Sequence, residues 1–480
     1  MSEFLFQYHR VNPTTWVYLS SLLMLGLYFK FGRFWSVRNL DLVILILLAP
    51  GLLLAQYGGE SAVEARRLEV LEQQRLREEQ PEAVPDAVFK ARALLQRSHE
   101  IERLGYLWLF AVGGALLLRL LLDPTMVRRP LLEPNLTSGG LTFIGCSLFV
   151  FLMANVWMSE PATLDRLDEA ARERLADKDA PFAAGGVLRR GPGYAWLNLI
   201  PSIPTNPLVA ENWFPAGSQP VGSEFVPTRG QRIVAKLIAI LCHFFVILGI
   251  IGIGYWHFGN TKTGIGVATL YLMLPYTAQM TGHIDHVIPA ALLVWAVLCY
   301  RRPLSSGFFL GLATSLIYYP LFLLPLWISF YWQKGLMRFL IGLFATLTAM
   351  ATALVFIPQA SYLENLQQMF GLWLPKQEGL EGIWRLGWNP VYRIPLLAAF
   401  VALSGTLAIW PPQKNLGTLL SCSAAVMVAA QFWHGFGGGL YIGWYLPLML
   451  LTIFRPNLED RVAIAVLDEG WPPRRLAGSA

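Results

Sequence analysis

The sequence predicts an all-α fold, a polytopic helical membrane protein with about 11–13 transmembrane segments, some of them re-entrant or half-length. Of its 480 residues, 55% are hydrophobic and 14% are charged, whereas a soluble domain carries about 25% charged residues. The apolar runs are far longer than the strands of membrane barrels, which have about 10 residues. Helices, which satisfy their own backbone hydrogen bonds, are therefore expected to cross the bilayer.

The formal net charge is +6, and the basic residues are scattered along the chain rather than gathered on one face. This distribution predicts loop cations that face the cytoplasm and anionic lipid, with the bilayer as partner and no nucleic acid. The four cysteines are isolated, without disulfide or zinc spacing, and are expected to pack as small apolar side chains.

The first part of the chain alternates between apolar and charged stretches. Residues 1–58 predict two transmembrane helices, and positive charge follows the first apolar run, so it is interpreted as a retained helix with its N-terminus outside. Residues 59–103 are rich in Glu, Arg and Gln. They predict a charged helical hairpin outside the bilayer, broken at Pro81 and Pro85. Residues 104–158 predict two more transmembrane helices.

The longest polar stretch, residues 159–232, is rich in Pro, Gly and aromatic residues and predicts an outer loop. After it the sequence predicts a central transmembrane bundle (233–357), a second outer loop (358–390), C-terminal transmembrane helices (391–455) and a cytoplasmic tail (456–480). Within the central bundle, residues 304–332 predict two half-length helices that meet at Tyr319–Pro320, because proline removes a backbone donor and ends the first helix.

A polar turn, residues 281–286, lies between two apolar segments, and Arg301–Arg302 ends the second of them. Both segments are expected to be long enough to cross a hydrocarbon core of about 30 Å. This places the polar turn at one membrane surface and the Arg pair at the cytoplasmic one. The same topology places both outer loops and a Gly-rich turn at 434–439 beside the polar turn, so four irregular segments are predicted to share the outer face.

Two motifs point to a family. The first combines Gly307 and Gly311 in an apolar helix with a run from Pro320 to Pro325, and the second is Tyr-Ile-Gly-Trp-Tyr-Leu-Pro at 441–447. They resemble the multi-pass GT-C glycosyltransferases, in particular the bacterial mannosyltransferase-like branch, which use polyprenyl-phosphate donors. The chain departs from that family in its three extra N-terminal spans and in Tyr318–Tyr319, where relatives often carry Lys.

The resemblance implies a multi-pass enzyme of the bacterial inner (cytoplasmic) membrane. Such an enzyme moves a sugar, with mannose as one candidate, from a polyprenyl-phosphate donor to a lipid or glycan acceptor at the outer face. It also implies a general-base carboxylate early in the first outer loop, where Glu160, Asp165 and Asp168 correspond by position. The alternative is that these three are surface acids on an amphipathic helix.

His283, Asp285 and His286 form a His-x-Asp-His pattern at a helix start and are candidate substrate-binding residues. Histidines three apart share one helical face, and with the Asp they could bind a divalent metal. No metal site is assigned, because no further ligands are evident, and the divalent metal is left open. The alternative is that Asp285 caps a helix beginning at Val287 and the histidines lie at the membrane interface.

Four more residues of the predicted outer face are candidates for substrate binding. Arg385 and Lys376 supply positive charge for a phosphate, although each is alternatively an ordinary loop cation. Trp384 offers a flat face for a sugar ring, and a place in the interfacial aromatic belt is the alternative. His434 lies in the Gly-rich turn.

Two other function classes stay open. A transporter or flippase of lipid-linked glycan would share the fold, but the predicted span centres are almost empty of the ionisable residues that ion-driven carriers need. A non-catalytic membrane scaffold would use the charged hairpin, residues 59–103, as a docking arm. The sequence does not predict the acceptor, the linkage or the oligomeric state.

Overall fold

The computed structural model describes residues 11–78, 85–126, 133–159, 229–353 and 380–469. Every regular element among them is helical, with one isolated β-bridge between Asn415 and Val462, so the predicted all-α class is confirmed for these residues. The α-helices, numbered in chain order, are α1 Pro13–Tyr28, α2 Val37–Glu78, α3 Pro85–Leu122, α4 Ser138–Met158, α5 Arg229–Trp256, α6 Thr261–Met273, α7 Pro275–Gln279, α8 Ile284–Leu298, α9 Pro303–Leu316, α10 Leu324–Tyr331, α11 Leu336–Ala353, α12 Arg393–Ile409, α13 Leu416–Trp433, α14 Leu446–Phe454 and α15 Ala463–Glu469.

Six helices in the described ranges are long and apolar enough to cross a membrane, namely those in α2, α3, α4, α5, α12 and α13. This agrees with a multi-pass helical membrane protein. Four further apolar helices have only 10–17 residues. The predicted total of about 11–13 segments included half-length helices, and the described ranges contain both kinds, six long and four short.

Residues 304–332 fold as the sequence predicts, into the two short helices α9 and α10. A 3₁₀ turn, Tyr319–Leu323, separates them. Helix α9 ends where Ile317 adopts extended backbone, with φ −136° and ψ 135°. Pro320 has no N–H to continue the ladder, which accounts for the break.

The described residues fall into two compact units. Unit 1 comprises Met1–Arg119, Lys376–Ala399 and Val428–Ile442, and unit 2 comprises Leu120–Pro375, Phe400–Met427 and Gly443–Ala480.

Within unit 1, α2 and α3 pair as an antiparallel hairpin. Helix α2 has 42 residues and continues through Gly58, so the second predicted span and the first charged arm are one helix. The two backbones approach closely there, because a Cβ built on Gly58 would lie 2.5 Å from the Glu102 nitrogen. At the apolar end of the hairpin, Arg119 donates two hydrogen bonds of 2.7 and 3.0 Å to the buried Asp41 carboxylate.

Within unit 2, small residues bring α9 and α11 into close contact. A Cβ on Gly307 would clash with the Phe339 carbonyl oxygen, and one on Gly342 would clash with that of Leu304. Such contacts are typical of helix pairs in membranes, where small residues allow backbones to approach.

One end of unit 2 carries ion pairs between the helix connections, and we call it the basic end. Arg301 pairs with Glu469 at 2.7 Å, Arg455 pairs with Asp123 at 2.7 Å, and Lys334 pairs with Asp468. Asp123 and Arg455 are buried. Helices α8, α9 and α14 each begin or end beside one of these arginines, so their opposite ends lie away from the basic end.

Candidate functional site

The polar turn is formed where two short helices give way to a third. Helix α6 ends at Met273, and the extended backbone of its C-cap residue, Leu274, leads into Pro275 and the single turn α7. Immediately after α7, the Met280 carbonyl accepts a hydrogen bond of 3.1 Å from the His283 N–H. Helix α8 then begins at Ile284. Proline is favoured at the first position of a helix, where Pro275 lies. Glycine is common in turns, so the Thr281–Gly282 pair explains why the chain reverses here.

The predicted triad His283, Asp285 and His286 is gathered at this point. One ligand atom from each side chain can be chosen so that all three lie within 4.8 Å of one another. Asp285 and His286 are buried, each with 4% of its surface exposed, whereas His283 is half-buried. Among the described residues, these three form the cluster of potential metal-ligating side chains that could hold a metal ion.

The capping alternative for Asp285 is wrong. Helix α8 starts at Ile284 and its N-cap residue is His283, so Asp285 lies inside the first turn. A carboxylate in the first turn is still stabilised by the positive end of the helix dipole. The Asp285 carboxylate lies close to both histidines at this helix start.

Three residues from other segments hold the triad in place. The Tyr276 hydroxyl lies 2.6 Å from Nδ1 of His286. Trp444 donates from its indole nitrogen to the Asp285 carbonyl oxygen at 3.0 Å. Gly443 permits this approach, because a Cβ there would lie 2.7 Å from the His286 carbonyl oxygen.

A histidine that sequence reasoning missed supports the turn from α5. His243 is buried in the middle of that helix, with Nε2 3.1 Å from the Thr281 carbonyl oxygen and Nδ1 3.1 Å from the Tyr271 hydroxyl. The signal was present in the sequence as one histidine inside an apolar run. It is an exception to the expectation that the span centres are almost empty of ionisable residues.

Aromatic rings pack beside the triad. The rings of Tyr318 and Tyr319 are stacked with centroids 4.2 Å apart, and their hydroxyls are 2.9 Å apart. Tyr319 also packs on Trp444 at 5.4 Å. Tyr318 is half-buried, so one ring of this group reaches the surface of the described fold.

The helices that reach the polar turn are short. Helix α6 has 13 residues, α8 has 15 and α9 has 14, which correspond to about 20–22 Å at 1.5 Å per residue. The hydrocarbon core is about 30 Å thick, so the expectation that each flanking segment crosses it alone is wrong for α6 and α8. Helix α5, with 28 residues, is about 42 Å long. The triad therefore lies beside the middle of a long helix rather than at its end.

Unit 1 brings together two other predicted residues, Trp384 and His434. The Trp384 indole nitrogen donates to the His434 carbonyl oxygen at 2.9 Å. Trp384 is buried against Tyr106 and Ile383 in a small apolar core, so protein covers its ring. The His434 ring packs edge-on against Tyr441 at 4.9 Å.

Arg385, the predicted phosphate ligand, lines a cavity of about 320 Å³ within unit 1. The charged and polar residues around it are Arg92, Gln96, His99, Glu100, Arg103 and Arg385. Three arginines against one glutamate give the cavity lining a positive charge, which suits an anionic ligand. Glu160, Asp165, Asp168 and Lys376 lie outside the described residues, so their predicted roles stay predictions.

The triad offers two imidazoles and one carboxylate in a largely buried setting. These groups can accept a proton from a hydroxyl, bind sugar hydroxyls or hold a divalent cation. Comparisons of the chain with protein-family models, with curated proteins and with solved structures gave no match.

Proposed function

We propose that the chain is a membrane glycosyltransferase that moves a sugar from a polyprenyl-phosphate donor to a lipid or glycan acceptor. The observation that carries the proposal is the buried triad His283, Asp285 and His286, built where the short helices of unit 2 end. Ionisable groups inside a membrane bundle are costly and usually serve a function.

The chemistry of such a transfer matches the groups available. The bond between the anomeric carbon and the donor phosphate oxygen breaks, and the phosphate leaves with the electron pair. The acceptor hydroxyl oxygen forms the new bond and passes its proton to a base. We assign sugar and acceptor binding to the triad and to the half-buried Tyr318, and keep Glu160, Asp165 or Asp168 as the base.

The proposed orientation of the protein in the membrane rests on the distribution of charge. Arg301, Lys334 and Arg455 all lie at the basic end of unit 2, whereas the triad lies at the other end of α8. The positive-inside rule favours the cytoplasm for the basic end. The triad would then open toward the outer face, as would the predicted outer loops.

The test uses purified full-length protein in lipid vesicles with radiolabelled polyprenyl-phosphate sugars, mannose first. Wild type should transfer label to lipid or glycan acceptors, and Asp285→Asn should lose roughly 10–150-fold in rate, because it removes one charge-assisted contact to the substrate. Asp468→Asn is the matched control, because this exposed carboxylate lies at the basic end. No transfer from any donor, or equal rates in Asp285→Asn and wild type, would contradict the proposal.

A flippase of lipid-linked glycan is the second candidate, favoured by the buried His243 in the middle of α5. Ionisable side chains facing a bundle interior often mark a transport path. The same vesicles separate the two functions. A flippase would move labelled lipid-linked sugar between leaflets without changing its chemistry, whereas a transferase yields a new glycoside.

A further inference from the structure

We infer that His283, Asp285 and His286 bind a divalent metal ion of the zinc class. The inference stands on the geometry of the triad and does not depend on the transfer reaction. The triad supplies two imidazole nitrogens and one carboxylate oxygen, all within 4.8 Å of one another.

The donor set is the one that zinc uses when it keeps an open position. Catalytic zinc sites commonly have three protein ligands, among them two histidines with one carboxylate, and a fourth position for water or substrate. Imidazole nitrogen also suits other first-row metals, so Co²⁺ is expected to occupy the same site.

The surroundings of His286 fix which ring nitrogen faces the ion. Its Nδ1 lies 2.6 Å from the Tyr276 hydroxyl, whereas its Nε2 lies 3.9 Å from an Asp285 carboxylate oxygen. Metal-bound histidines usually have a hydrogen-bond partner on the other ring nitrogen, which orients the ring. Tyr276 fills that role, and Nε2 is left pointing toward the carboxylate.

The spacing requires only a modest closure around an ion. Zinc ligands at about 2.0–2.1 Å from the metal lie about 3.3 Å apart in a tetrahedron. The atoms of Asp285 and His286 therefore need to approach by about half an ångström. The His283 ring already lies beside that of His286, with centroids 5.5 Å apart.

A divalent cation would be attracted to the Asp285 carboxylate, which is buried beside the two histidines. Coulomb attraction is stronger in such a setting than in water. With a divalent ion bound, the Asp285 carboxylate is neutralised and one positive charge remains. A developing phosphate anion would be attracted to that charge.

The experiment measures metal directly on purified full-length protein, after removal of metal with a chelator and re-equilibration with Zn²⁺ or Co²⁺. Elemental analysis should find about one ion per chain, and Co²⁺ should give the visible absorption of a four- or five-coordinate site. Asp285→Asn and His286→Ala should lose the ion. Asp468→Asn and His99→Ala are the matched controls and should retain it.

Tyr276→Phe is the second variant, because it keeps all three ligands and removes only the hydroxyl beside His286. Affinity for Zn²⁺ should fall by about 10–100-fold. Metal content in wild type no higher than in Asp285→Asn would overturn the inference, as would unchanged affinity in Tyr276→Phe. Since metal is read without turnover, a protein that binds zinc but transfers no sugar refutes only the proposed function.

Discussion

The Tyr276 hydroxyl lies 2.6 Å from Nδ1 of His286, although ten residues and a helix break separate the two side chains. The break at Leu274–Pro275 sets α7 apart from α6, and Tyr276 lies on that one-turn helix. A short hydrogen bond between two buried groups is worth more than one exposed to water. The orientation of His286 therefore depends on the fold of the polar turn.

Replacing Tyr276 by Phe should reduce sugar transfer by about 10–100-fold with little loss of protein, because His286 loses the partner that orients it. Transfer in vesicles is the measurement. Tyr271→Phe is the matched control, since the Tyr271 hydroxyl also pairs with a buried histidine, His243, at 3.1 Å. It should cost about 1 kcal/mol of stability and leave the transfer rate within about threefold of wild type. Equal effects of the two substitutions would contradict the assignment.

Gly443→Ala should impair folding or activity, because the added Cβ would lie 2.7 Å from the His286 carbonyl oxygen and 3.1 Å from the Tyr276 hydroxyl. Overpacking of this kind typically costs about 1–3 kcal/mol. Gly405→Ala is the control, since a Cβ there meets nothing within 4 Å and alanine favours the helix. Thermal unfolding in detergent and transfer in vesicles would both be measured. A Gly443→Ala protein as stable and active as Gly405→Ala would count against the close approach.

Asp123→Ala should destabilise unit 2 by about 3–5 kcal/mol, because it leaves the buried Arg455 guanidinium without the carboxylate it pairs with at 2.7 Å. The pair Lys262–Glu133, at 2.6 Å, is more exposed and provides the control. Lys262→Ala should change stability by less than about 1 kcal/mol. The melting temperatures of the two variants are compared by thermal unfolding. Similar decreases in melting temperature would contradict the larger contribution assigned to the buried pair.

Arg385→Gln should weaken binding of an anion in the cavity of unit 1, because it removes one of the three arginines that line it. A loss of one charge-assisted contact corresponds to about 1.5–3 kcal/mol, or roughly 10–150-fold in Kd. The measurement is titration of purified full-length protein with inorganic pyrophosphate. Arg338→Gln, on α11 of unit 2, should leave the Kd unchanged, and an equal rise in both variants would contradict anion binding by the cavity.

The sequence predicted the helical class and the position of the triad because both depend on local patterns. Hydropathy marks apolar helices wherever they lie, and His-x-Asp-His is visible as a motif. The break before Pro320 was predicted for the same reason, since proline acts on its own backbone.

The sequence could not reveal the contacts that join distant segments. Trp444 reaches the Asp285 carbonyl across 159 positions, and Arg455 reaches Asp123 across 332. The expectation that the segment after the polar turn crosses the bilayer alone was wrong because of its length. The observed helix α8, Ile284–Leu298, has 15 residues, whereas about 20 are needed.

The most direct test of the central claim labels a single cysteine at position 282 in a background without the four native cysteines. Gly282→Cys is suited to this, since a Cβ there meets nothing within 4 Å. A charged, membrane-impermeant thiol reagent is applied to the outside of intact cells. We expect labelling from outside, and protection by added polyprenyl-phosphate sugar. Labelling only from the cytoplasmic side, or labelling that the donor lipid does not slow, would contradict a donor site at the polar turn.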